Sequence, residues 1–126
     1  MKTITLGIIS LLLLGIFTAG CSGKYDKNVM LVREGTMNMK PDVPLGKALD
    51  KFFDKSEWKS FTSTQNETIV EFNGSGKWLD TYQTVRMQFS IIGNEFNFRY
   101  MEINGMAIDT EIALGILFEI LNEYQP

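Results

Sequence analysis

Thr84-Val85-Arg86-Met87-Gln88-Phe89-Ser90-Ile91-Ile92-Gly93-Asn94-Glu95-Phe96-Asn97-Phe98-Arg99-Tyr100-Met101 is the stretch that decides the fold. Val85, Met87, Phe89 and Ile91 alternate with Thr84, Arg86, Gln88 and Ser90, so a side-chain period of two puts the two sets on opposite faces of one strand. In the second half, Phe96, Phe98 and Tyr100 are expected on one face and Asn97, Arg99 and Met101 on the other. Gly93-Asn94 between the halves suits a two-residue hairpin loop. Strands that are half apolar and half polar, joined by a tight turn, predict an antiparallel sheet with one buried and one wet face.

Thr68, Val70 and Phe72 continue this alternation upstream, and Gly74 to Tyr82 reads as a glycine-bearing connection between strands. Before them, Leu45, Ala48, Leu49, Phe52 and Phe53 fall at the spacing of an amphipathic helix. Pro44 suits its first turn, and Asp42 is a candidate cap. Lys47, Asp50, Lys51, Asp54 and Lys55 lie on its other face with opposite charges at helical spacings. Trp58 and Phe61 flank a short extended segment. Val29-Met30-Leu31-Val32 reads as a short buried strand, and Gly35 to Pro44 as a loop. After the sheet, Asn104-Gly105 is a second turn dipeptide, and Asp109 is expected to cap a final helix. Ile112, Ala113, Ile116, Leu117, Ile120, Leu121 and Tyr124 form the wide apolar face of that helix. The predicted domain, residues 29–126, is α+β in two layers: an antiparallel meander of four to five strands with two helices packed on one face.

Residues 1–20 have a different character. Lys2 precedes an apolar run from Ile4 to Phe17, followed by small residues Thr18, Ala19 and Gly20 and the only cysteine, Cys21. The run is shorter than the roughly 20 residues of a spanning helix. Phe17-Thr18-Ala19-Gly20-Cys21 resembles the lipobox of bacterial lipoproteins. The resemblance implies a signal peptide over 1–20 and a diacylglycerol thioether on Cys21, together with further acylation such as palmitate. It also implies an extracytoplasmic protein anchored in the cell membrane or outer membrane. Ser22, where an inner-membrane retention signal would place aspartate, points to the outer membrane and the periplasm of a two-membrane cell envelope. More than one acyl chain is needed for lasting attachment, and the lipoprotein pattern supplies that. Residues 21–28 read as a lipidated flexible tether. Cys21→Ser is expected to leave unprocessed precursor, visible as slower gel mobility and altered membrane partitioning.

Charge narrows the partners. Residues 21–60 carry eight Lys/Arg and six Asp/Glu, whereas residues 61–126 carry three and nine. A chain this acidic lacks the clustered cations that nucleic-acid phosphates require, so no nucleic acid is expected. With no histidine and one lipidated cysteine, neither zinc and thiolate sites nor nucleophile–histidine pairs can be assembled, and no metal or cofactor is expected beyond the covalent lipid on Cys21. Gly74-Ser75-Gly76-Lys77 falls short of a phosphate loop, because Glu71 and Trp78 occupy the positions of its first glycine and its Ser/Thr. Glu67, Glu71, Glu95 and Glu102 are available carboxylates, but nothing in their spacing makes two converge.

Aromatic and thioether side chains in loops are the remaining signal. Trp78, Leu79 and Tyr82 in one connection, and Met37 and Met39 in the Gly35–Pro44 loop, are candidate partner-binding residues. Covering the edge of a small core is the competing reading for Trp78, as packing over a helix start is for the methionines.

A longer pattern runs through Val32-Arg33-Glu34-Gly35-Thr36, Pro41, Val43-Pro44-Leu45-Gly46-Lys47-Ala48-Leu49, Phe52-Phe53, Trp58-Lys59-Ser60-Phe61 and Val70-Glu71-Phe72-Asn73-Gly74. It continues through Met87-Gln88-Phe89 and Met101-Glu102-Ile103-Asn104-Gly105. It resembles a recurrent bacterial domain found after lipoprotein signals or membrane-tethered zinc ribbons. The resemblance implies the fold and the extracytoplasmic setting, and brings no activity with it. The expectation is a non-catalytic envelope lipoprotein that binds a partner protein. The rival readings are a carrier or pilot for an apolar ligand and, more remotely, a carboxylate-based hydrolase.

Overall fold

The computed structural model describes residues 24–126. The sheet contains β1 (Lys55–Thr62), β2 (Thr68–Trp78), β3 (Thr81–Ile92), β4 (Glu95–Ile103) and β5 (Met106–Ala107), in that spatial order and antiparallel throughout. Three connections are two-residue turns, and their backbones follow from their residues. Gly93 takes a positive φ of 63° at the first central position, as a II′ turn asks. Asn104 and Gly105 both have positive φ (53° and 83°), as a I′ turn asks. Leu79 and Asp80 form the same kind of turn with neither glycine nor asparagine, at φ 56° and 66°.

α1 (Lys27–Glu34), α2 (Leu45–Phe52) and α3 (Thr110–Glu123) join the sheet, so the helices among the described residues number three and not two. The extra one corrects the reading of Val29-Met30-Leu31-Val32 as a strand. Asp26 Oδ1 accepts from the Val29 amide at 2.8 Å, and the helix that follows buries Val29 and Val32, one turn apart. Four apolar residues in a row suit strand or helix equally, and the upstream cap decides between them. α1 therefore begins inside the stretch read as tether. Asp42 does not cap α2: Pro44 stands at its cap position with no side-chain bond. Asp109 does stand at the N-cap of α3, also without a side-chain bond.

β4 carries a second correction. Gln88 pairs with Tyr100 but Phe89 with Phe98, which leaves Arg99 as the extra residue of a bulge. A bulge reverses the alternation beyond it. Tyr100 therefore turns to the open face and Met101 to the core, where it is fully buried.

The core lies between the helices and one face of the sheet. Val70, Phe72, Val85, Met87, Phe89 and Met101 meet Val29, Val32, Leu45, Leu49, Leu117 and Leu121 in one cluster. Phe72 packs its ring against Trp58 and Phe53, with centroids 4.9 and 5.4 Å away. Gly74 is glycine for this reason: a Cβ there would come within 2.6 Å of the Phe72 ring. One carboxylate joins three elements. Asp50 on α2 accepts from the Trp58 indole of β1 at 3.0 Å and from Arg33 of α1 at 2.7 Å. Arg33 in turn stacks between the Tyr25 and Trp58 rings.

Candidate functional site

The register places the predicted partner-binding residues. β1 pairs with β2 only as far as Ser75, and β4 with β3 only from Val85. Residues 76–83 therefore project past both neighbours as a two-stranded ribbon. This corrects the reading of Gly74 to Tyr82 as a loop, since β2 runs on to Trp78 and only Leu79-Asp80 turns.

The ribbon sends its aromatic residues to opposite faces. Trp78 points to the helix side, half-buried and edge-on to Phe52 at 6.1 Å. It covers the end of the core. Tyr82 pairs with Lys77 on the open face, is 63% exposed, and donates its hydroxyl to Ser75 Oγ at 2.9 Å. Leu79 stands at the tip, 77% exposed. Met37 and Met39 are half-buried against the core at the start of α2. Of the five candidates, Leu79 and Tyr82 are exposed, whereas Trp78, Met37 and Met39 are packed against the core. Cys21 lies outside the described residues.

The open face of the sheet holds a polar network that sequence reasoning treated as solvated surface. Glu71 is 4% exposed although it faces away from the core. Its carboxylate accepts from Gln88 Nε2 and Asn73 Nδ2, each at 2.8 Å, and Lys59 Nζ lies 3.5 Å away. Burial pushes its pKa up, but the two amide donors and the charges of Lys59 and Arg86 outweigh that, and the net direction is down. Glu102 accepts from the Tyr100 hydroxyl and pairs with Arg86; both hold its pKa down, the phenol first. The same hydrogen bond pushes Tyr100 up. Glu67 takes both Nε and Nη2 of Arg99, the bulge residue.

The alternation shows these residues as polar. Their partners come from cross-strand register, which no single strand reveals. Beside the network, a cavity of about 450 Å3 opens over Glu57, Asn73, Ser75, Thr84, Arg86 and Glu102. A general acid at neutral pH needs a raised carboxyl pKa. Glu71 and Glu102 are shifted the other way and held by donors, as suits structural carboxylates. Among the described residues, no cluster of three His, Cys, Asp or Glu side chains is placed to hold a metal ion, and no helix is long and apolar enough to cross a membrane. Searches of protein-family models, curated proteins and solved structures yield no match to this chain.

Proposed function

We propose that this chain is a lipid-anchored, extracytoplasmic and non-catalytic binding module that engages a partner protein through the β2–β3 ribbon. Leu79 carries the reading. A leucine in the left-handed region costs about 1–2 kcal/mol, and leaving it exposed forgoes the roughly 1.5–3 kcal/mol that burying it would contribute. The I′ turn needs the left-handed backbone, but glycine or asparagine would supply it without either cost, and Leu79 lies at the tip, beyond the core. Strain at an exposed apolar tip is a mark of function.

The placement of the tip supports the same reading. Asp26, five residues after Cys21, bonds Ser60, which pairs with Val70 of β2. Leu79 is nine residues further along, about 30 Å at the rise of a strand. Asp26 and the exposed leucine thus lie toward opposite ends of the sheet. A carrier for an apolar ligand would need room between helices and sheet, where Phe72, Met87, Phe89 and Met101 already fill the space.

A photo-crosslinking side chain at position 79 of the full chain is expected to give a discrete adduct in intact membranes. The control is Ile92, 67% exposed on the hairpin at the other end of the sheet. Identical adducts at both positions would refute the reading. Leu79→Gly is expected to abolish partner binding while leaving stability unchanged or raised by up to about 1 kcal/mol, since glycine removes the left-handed strain.

A further inference from the structure

β1 closes one side of the sheet. It pairs with β2 alone, and among the described residues no backbone hydrogen bond reaches its outer edge. A row of unpaired N–H and C=O groups is a template for another strand. A cavity of about 330 Å3, bordered by Tyr25, Glu57, Trp58 and Lys59, lies beside it. On the open face the strand presents Lys55, Glu57, Lys59 and Phe61 in order.

We propose that β1 pairs with β1 of a second copy, antiparallel about a two-fold axis at Trp58, joining two sheets into one. Charge sets the register. With the axis at Trp58, Glu57 lies opposite Lys59 of the second copy, and Lys55 opposite Phe61, each pair occurring twice by symmetry. Phe61 is 38% exposed, and the lysine covers its ring with stem and ammonium.

Moving the axis to Glu57 sets that residue against itself and Lys55 against Lys59. Moving it to Lys59 sets two lysines face to face. Like charges directly opposite destabilise a pair, so the registers on either side are repelled and the one at Trp58 is attracted. A slip of a single residue swaps the faces and sets Glu57 against Trp58. On the helix side, the Trp58 register brings Ser60 of the second copy opposite Ser56, whose hydroxyl oxygen is buried without a partner among the described residues. The pairing rests on this strand alone and stands whether or not Cys21 carries lipid.

The test is sedimentation of the full chain in density-matched detergent. The wild-type chain is expected to dimerise reversibly. Glu57→Lys and Lys59→Glu each place like charges opposite one another twice, and each is expected to weaken the dimer roughly tenfold or more. An equimolar mixture of those two variants sets every charge opposite its counter-charge, and is expected to associate at least as tightly as wild type.

Phe61→Glu, at an exposed position, gives Lys55 a partner and is expected to tighten the dimer roughly threefold, whereas Phe61→Lys weakens it. The Phe61 pair carries the test if Lys59→Glu, which removes the cation beside Glu71, fails to fold. A wild-type chain that stays monomeric at millimolar concentration overturns the proposal. So does a dimer that ignores the Phe61 substitutions, or a mixture of folded Glu57 and Lys59 variants that fails to associate.

Discussion

Phe72→Ala is expected to cost about 3–5 kcal/mol, a large part of the stability of a domain this size. Phe72 has no exposed surface and sits on β2, between two paired strands. Its ring supports Trp58 and Phe53 and lies over Gly74, which has no side chain to fill a void. The loss would spread, because Trp58 leans on this ring and holds Asp50, where α1, α2 and β1 meet. Urea denaturation of wild type, Phe72→Ala and Phe72→Leu at one temperature measures the effect. Leucine keeps most of the volume and is expected to cost about 1.5 kcal/mol. Equal costs for the two variants, or a loss below about 1 kcal/mol for alanine, would show that the site collapses freely.

Glu71→Gln is expected to cost about 1.5–3 kcal/mol at neutral pH, because two hydrogen bonds to a carboxylate become bonds to a neutral amide and Lys59 loses its partner. The cost depends on pH with a definite sign. The folded carboxyl lies below the usual glutamate value of 4.5, so the unfolded chain takes up its proton first. The stabilisation is fully present above about pH 4.5 and is lost as pH falls through the folded value. The difference between wild type and Glu71→Gln should therefore shrink on acidification. Asp26 and Glu102, also held low, titrate in both proteins and drop out of the difference. Urea midpoints at pH 7 and pH 3 decide; an unchanged gap would mean that the charge contributes nothing.

Most of the sheet and two of the helices were legible because one face of each element repeats at a fixed period. Val85 to Ile91 alternate across β3, and Leu45 to Phe52 keep helical spacing. What escaped depends on contacts made at a distance. Tyr and Met tolerate either face of a strand, so nothing local in Arg99-Tyr100-Met101 announces the bulge; pairing with Gln88 and Phe89 imposes it. The β2–β3 turn was hidden because Leu79-Asp80 lacks the glycine or asparagine that usually marks positive φ. The same absence is what makes Leu79 informative once its backbone is seen. Of the named binding residues, Trp78 is drawn inward by Phe52, a neighbour remote in sequence, and the methionines by the core.

The junction built around α1 also has a mechanical meaning. A load applied to the chain ahead of Asp26 would enter the domain through Asp26 and Ser60, and then through Arg33, Asp50 and Trp58. Tension is thereby delivered to the outermost strand, which a single ladder of hydrogen bonds holds to the sheet. The far ribbon is left out of that path, so a pull on the chain ahead of Asp26 would loosen the border of the fold before it disturbed the tip.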